Sequence, residues 1–470
     1  MRKEFDDMTR KEKAQAEKIA ELLNIDCEQI ELECEEQDKD VVKCFIIDGR
    51  GAELKLDKAL LLKMGCGIEF YNYKFPESIE IKAEDYKYHL GFCKCVFEKD
   101  FNMSCCVFQR GISFYDEDKK GIERSIFKGK VIFTDSIFGT NCKEEMQSIK
   151  ASFKRCVFKK EVKFDKVIAH IPVYFNHAEF GHDGKDGKIE TDLVENADFH
   201  ESRFEDVACF YCAKFFKAPN FSQTIFNGSP NFVSSKINFT FDGLKDFIKR
   251  KAVKDEDRED KTANDYRDSF RLVKNALIKE NDILNASQYH KMELYCKEIE
   301  LESKEQKSPS DWLERWQLWF YRNTSDHHTD LLRIIGSVLA CIGLFGYVLL
   351  GVFALDEKIA EIAEFFAKLN CAFIALVYCI FLHLSCYLFC GECWRKIVIC
   401  LCWISVVSFG VLILSLHPNY IIDLLKGSLI DECLFFAWWQ NIILLVHVIL
   451  LGLLLFSLQK TARKNSIIPS

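Results

Sequence analysis

Two histidines lie inside long apolar runs, where an ionisable side chain is costly and therefore marks a candidate functional group: His383 and His447. Gln440 and Asn441 share the run of His447, and Asn370 and Tyr378 share that of His383. Facing one another across a helix bundle, these groups would line a polar cavity or a proton path. The other reading gives each histidine a single interhelical hydrogen bond, worth ~0.6 kcal/mol. Thiols form two C-x-x-C pairs, Cys209 with Cys212 and Cys390 with Cys393. Zinc needs four ligands, and neither pair has a second pair or histidines close by, so no metal is expected and no other cofactor is indicated. His170, His177, His182 and His200 are scattered. The chain has no G-x-S-x-G turn, no H-E-x-x-H helix and no glycine-rich phosphate loop. No catalytic residue is expected, and the protein is not read as an enzyme.

The candidate polar residues require a membrane domain to hold them. Four apolar stretches, 334–355, 369–390, 397–416 and 433–458, are each long enough to cross ~30 Å of hydrocarbon. An even number of crossings places both termini on one side. Arg315, Arg322 and Arg333 precede the first span, Arg395 and Lys396 fill the second loop, and Lys460, Arg463 and Lys464 follow the last. Positive flanks mark the cytoplasmic side, so both termini are expected there, with His383 and His447 at depths ~6 Å apart. No TVGYG-like filter and no acidic ring lies within a span, so a channel has only the histidines and amides in its favour.

The chain has 470 residues, of which 49% are hydrophobic and 29% charged, and nearly all long uncharged runs follow Ile334. A soluble part followed by a membrane part accounts for that segregation. The net charge of −8 gives no field that would gather nucleic acid or anionic lipid. Glycine at 22 and proline at 7 exclude collagen-like and proline-rich chains. The N-terminus, MRKEFDDMTRKEKAQAEKIAEL, is a charged helix pattern without a signal-peptide core, so of the 22 cysteines those in the soluble part are expected to be reduced, while the nine in or beside the apolar stretches act as small hydrophobes.

The 41 phenylalanines are the anomaly in the composition, and they are periodic. Phe199, Phe204, Phe210, Phe215, Phe221, Phe226 and Phe232 follow one another in steps of five and six. The same rhythm holds for Phe127, Phe133 and Phe138, for Phe153, Phe158 and Phe164, and for Phe175 and Phe180; Phe92 and Phe97 precede them. Two residues before such a ring stands a small or β-branched residue, among them Cys95, Ser125, Val131, Ser136, Cys156, Val162, Val173, Ala178, Ala197, Ser202, Ala208, Ala213 and Thr224. A period near five fits neither helix nor ordinary strand, so the backbone must turn a corner after each short extended piece. Four sides close a coil of about 20 to 22 residues, and stacking at ~4.8 Å builds a rod of roughly seven coils, about 35 Å long. The rings would pile up inside it.

Segments such as SIFKGKVIFTDSIFG, ASFKRCVFKKEVKF and ADFHESRFEDVACFYCAKFFKAPNFSQTIF resemble the pentapeptide-repeat family in its Phe-centred form. The resemblance covers about a third of the chain and implies a right-handed quadrilateral β-helix, a solenoid. Its phase breaks at 115–123, 139–150 and 181–195, which read as extruded loops. Some soluble members present an acidic face that mimics DNA, but from Phe92 to Phe241 there are 22 basic and 21 acidic residues, so no such mimicry and no nucleic-acid partner is expected. The charges are sorted nonetheless. Lys119 to Lys166 holds 13 basic and 6 acidic residues, and Glu179 to Asp206 holds 3 and 10, which is read as a docking surface, as head-to-tail contact between rods, or as solvated surface.

Beyond the repeats, helical spacing over about 257–304 gives two helices broken near Asn281. The run DYRDSFRLVKNALIKENDILNASQYHKMEL is similar to the helical linker of multi-spanning bacterial members of that family. Asp311 can cap a further helix whose Trp312, Trp316, Trp319 and Phe320 share one face. Indole favours the headgroup layer, so these tryptophans are expected as interface anchors; packing against the rod is the competing reading. The expected organisation is an N-terminal helix and mixed α/β cap over 1–90, a solenoid over 91–241, a helical linker over 242–308, an interfacial helix over 309–330 and a four-helix transmembrane domain over 331–470. The expected function is a protein-interaction scaffold anchored in a bacterial inner membrane, with an unidentified protein partner and with homo-oligomers open. The first rival is a channel or transporter that the solenoid assembles or gates, and the second is a sensor in which a thiol or histidine near the membrane reports to the rod.

Overall fold

In a computed structural model the described residues are 2–37, 40–115, 124–140, 149–181, 197–237, 239–338, 341 and 438–466. The chain divides into two units, Met1–Arg315 and Trp316–Ser470.

In the first unit, short strands pair in parallel with the strand four places later, so four strands close one turn and four sheets enclose the interior. Phe70 pairs with Phe92, Phe75 with Phe97, Phe97 with Phe127 and Phe127 with Phe158, each one coil apart. On the first face Phe70, Phe92, Phe114, Phe153, Phe175, Phe210 and Phe232 form one stacked column, with successive centroids 4.8–5.6 Å apart. Phe75, Phe97, Phe127, Phe158, Phe180 and Phe215 stack on the second face at 4.5–5.1 Å. Phe133, Phe164, Phe199 and Phe221 stack on the third at 4.8–5.4 Å. Tyr86, Phe108 and Phe138 stack on the fourth, Ala169 interrupts, and Phe204 with Phe226 resumes. Rings of opposite faces meet edge to face across the interior, as at Phe153 and Phe164, the arrangement a ring quadrupole favours.

The alternation of five and six has a backbone cause. On five-residue sides the second residue after each inward ring, or after Ile81 and Met103 where an aliphatic side chain takes the ring's place, is left-handed: Asn72, Ala83, Lys94, Cys105, Asp135, Arg155, Lys166, His177, Glu201, Cys212, Gln223 and Ser234, with φ of 55–58°. The residue after it donates its N–H to the carbonyl of the preceding ring residue, as Ala178 does to Phe175 at 3.0 Å and Ala213 to Phe210 at 3.0 Å. That donor is the small residue of the repeat, and its side chain turns inward beside the next ring. Where it is serine, the hydroxyl joins adjacent coils: Ser136 donates to the Met103 carbonyl at 2.8 Å and accepts from the Cys106 N–H at 3.1 Å. None of these twelve corners is glycine, although Cβ disfavours the left-handed region. Gln223→Gly is therefore expected to raise stability by ~0.5–1 kcal/mol, and the β-branched Gln223→Val to lower it by ~1 kcal/mol, read from chemical denaturation midpoints.

The coil pairing begins at Gly67, one coil before the expected boundary at 91. That first coil hides from a search for phenylalanine because Ile81 and Tyr86 occupy two inward positions and Tyr73 replaces the small residue. Ahead of it, β1 (Arg2–Lys3), β2 (Ile30–Gln37) and β3 (Asp40–Asp48) extend the first sheet, with β3 parallel to β4 (Gly67–Tyr71). Helix α1 (Arg10–Leu23) opens with a Thr9–Glu12 capping box and ends on left-handed Asn24. It buries Ala16, Ile19, Ala20 and Leu23 in the same core as the rings, and α2 (Lys58–Met64) adds Leu61 and Met64.

Residues 242–308, expected as a linker, close the other end of the coil stack. Helices α3 (Phe241–Lys254), α4 (Glu259–Lys279) and α5 (Ile283–Ser303) bury Tyr266, Phe270, Leu277, Tyr289 and Met292 in the core that holds the rings. The break between α4 and α5 falls at left-handed Asn281. Ser269 Oγ donates to the Pro219 carbonyl at 2.8 Å and accepts from the Phe221 N–H at 2.9 Å. Ser235 Oγ and Tyr289 OH lie 2.8 Å apart. A terminal coil would otherwise expose a row of unpaired backbone groups and rings, and the helices remove that edge.

The boundary between the units falls within α6 (Pro309–Ser325). In the second unit Phe320, Ile334, Val338 and Leu454 pack together. Helix α7 (Trp438–Ser466) contains Leu445–Ala462, an 18-residue window of mean hydropathy 1.8. Among the described residues it is the one helix long and apolar enough to cross a membrane. The four-helix transmembrane domain and multi-pass placement expected from the sequence are thus not supported beyond this helix; residues 342–437, which carry 369–390, 397–416 and most of 334–355, lie outside the described residues.

Candidate functional site

Fourteen of the fifteen expected ring positions, Phe127, Phe133, Phe138, Phe153, Phe158, Phe164, Phe175, Phe180, Phe199, Phe204, Phe210, Phe215, Phe221 and Phe232, are at most 3% exposed, and Phe226 in a late coil is half-buried. Rings at van der Waals separation fill the coil interior, so chemistry is left to the outer surface and to the second unit.

The thiols of Cys95, Cys106 and Cys156 occupy small inward positions, and burial pushes each of them up, away from the reactive thiolate. Cys95 Sγ donates instead to the Phe70 carbonyl at 3.4 Å. Cys209 is buried and Cys212 stands at a left-handed corner, both as free thiols. Among the described residues no group of three or more His, Cys, Asp or Glu side chains is arranged to hold a metal ion. Cys390 and Cys393 lie outside the described residues.

His447 lies on α7 with Nδ1 3.7 Å from Cys341 Sγ. His383 is outside the described residues, as are the side chains of Gln440 and Asn441, whose backbone begins α7. A second histidine escapes the sequence reading. His328 Nδ1 lies 2.7 Å from Ser457 Oγ of α7, and its ring stands 4.8 Å from that of Tyr321. It ends a run of three left-handed residues, Asp326, His327 and His328, with φ of 50, 54 and 65°. The signal in the sequence is the pair of adjacent histidines just ahead of an apolar stretch. Trp312, Trp316 and Trp319 are 61%, 46% and 50% exposed, and Trp316 stacks on Phe320 at 5.6 Å.

On the coil surface, Glu179 accepts from Arg124 at 3.0 Å and from Lys214 at 2.8 Å. Burial raises the pKa of its carboxyl, but the two cations outweigh that and hold it below the usual range. Glu161, almost fully buried, binds Lys254 of α3 at 3.0 Å and Lys130 at 3.4 Å. Desolvation again acts upward, and Lys254, Lys163 and Lys130 together bring the carboxyl below 4.5. A depressed folded value means that ionised Glu161 stabilises the fold above pH 4.5 and that this contribution disappears as pH falls through the lower folded value. Glu161→Gln is expected to cost ~1–2 kcal/mol at neutral pH and to flatten the loss of stability as pH falls below 4.5, measured by denaturation at each pH.

No family model, curated protein or solved structure matches the chain.

Proposed function

We propose that this protein is a membrane-anchored scaffold that presents a right-handed solenoid of the pentapeptide-repeat type to a protein partner. The single observation that carries this reading is a filled, doubly capped coil stack in one chain with the apolar window Leu445–Ala462. A filled interior has no room for a substrate, and a rigid outer surface on a tether suits binding. In the full proposal the chain crosses a bacterial inner membrane four times with both termini in the cytoplasm, and Trp312, Trp316 and Trp319 sit at the headgroups. Half-exposed indoles on one helix support that placement.

The test is affinity capture of the full-length protein from its own membrane, compared with a chain lacking 67–237. Capture of a defined partner that disappears with the coils, while the truncated chain stays in the membrane fraction, is the expected result. The channel reading is favoured by one observation, the polar pair His447 and Cys341 within apolar helical sequence. It predicts lost ion flux in His383→Leu and His447→Leu chains with capture intact, and that outcome would displace the scaffold.

A further inference from the structure

The register of the second and third faces gathers lysines that the sequence scatters. Phe127 pairs with Phe158, which stacks Lys128 and Lys159 one coil apart at the same corner. Ile132 pairs with Lys163, which brings Lys130, Lys160 and Lys163 to the same edge. Lys99 contributes from the coil before and Lys254 from the end of α3. Gly129 allows the crowding: a Cβ there would stand 2.2 Å from the Lys99 carbonyl carbon and 2.5 Å from the Asp100 nitrogen. Seven lysines thus share one ridge with three carboxylates, Glu98, Asp100 and Glu161. Glu98 is engaged by Lys128 at 2.8 Å, and Glu161 by Lys130 and Lys254. Lys159 and Lys160 are exposed and make no ion pair with a described residue.

The length of this band selects its partner. It spans three coils, two spacings or ~10 Å, with Glu98 and Asp100 on either side of Lys99 in the first of them and Asp198 facing Lys163 after the last. A nucleic-acid backbone or an anionic lipid layer would continue past the band and meet those carboxylates. The ridge is convex and built of lysines, which act as point charges and offer no planar fork for base edges. An extended segment of about three to four residues covers ~10 Å.

We propose that this ridge is the docking surface for a short, extended, acidic segment of a protein partner; the inference rests on the scaffold reading and names the chemistry of its ligand. The test uses the full-length protein in neutral detergent and a fluorescent peptide with four consecutive glutamates. The glutamate peptide is expected to bind more tightly than its four-glutamine counterpart. The K159E/K160E/K163E chain is expected to lose about tenfold or more in affinity, with an unchanged circular dichroism spectrum because the three side chains point outward. Equal affinity in the triple variant overturns the proposal. So does a single-stranded oligonucleotide or a phosphatidylglycerol vesicle that binds more tightly than the peptide and is lost in the same variant. Partner capture that survives in the triple variant but vanishes on deletion of 67–237 overturns the ridge and leaves the scaffold standing.

Discussion

Phe175→Ala is expected to lower the stability of the coil stack by ~3–5 kcal/mol. The ring sits between Phe153 at 5.0 Å and Phe210 at 4.9 Å, nearly parallel to both, and meets Phe164 and Phe199 edge-on at 5.2 and 5.5 Å. Neighbours tied into four parallel sheets cannot collapse into the space it leaves, because each strand is fixed by the coils on either side. Dispersion contacts and ring-edge attraction from four directions go at once. Phe226→Ala removes the same atoms from a half-buried site in a late coil and should cost ~1–2 kcal/mol. Denaturant unfolding of the two variants decides the matter. A Phe175 cost no larger than that of Phe226 would mean the interior is not tightly packed.

The second large effect concerns the C-terminal helices. Phe270→Asp places a carboxylate at a fully buried point between Tyr289 and the last coils, next to Ser269, which bonds the Phe221 N–H and the Pro219 carbonyl. An unpaired charge there costs several kcal/mol. Coils bond only to adjacent coils, so α3, α4 and α5 should detach while earlier coils persist. Limited proteolysis should then cut within 241–303 well before the rod, and an apolar dye should bind the uncovered rings. Uniform resistance along the chain would show that the helices are not what seals the stack.

Legibility in the sequence follows from how many constraints meet at a position. An inward ring, a small residue two before it at most positions and a left-handed corner on each five-residue side recur together, so the period survives outer-face variation and the coils could be read. At Ala169 the ring is absent and Ile171, 1% exposed, is buried close by, which blurs the rhythm. The coil centred on Phe70 and Phe75 was lost for the related reason that Tyr73 and Ile81 fill the space differently. Helical spacing over 257–304 declares that one face is covered but not by what, so a cap read as a linker. The left-handed run at 326–328 and its tie to Ser457 depend on two segments far apart in the chain. Clustered lysines were visible as composition, but only the pairing of Phe127 with Phe158 sets them in one column.

Pairing that recurs every fourth strand makes the length of the rod a discrete quantity. Removing one full circuit, such as 151–172, would set Val173 where Ala151 pairs now and leave every remaining sheet continuous. Such a chain should be shorter by one rung, ~4.8 Å, and otherwise unaltered. Duplication or loss of a circuit would thus change the extent of the coil stack only in whole rungs, as beads are added to or taken from a string.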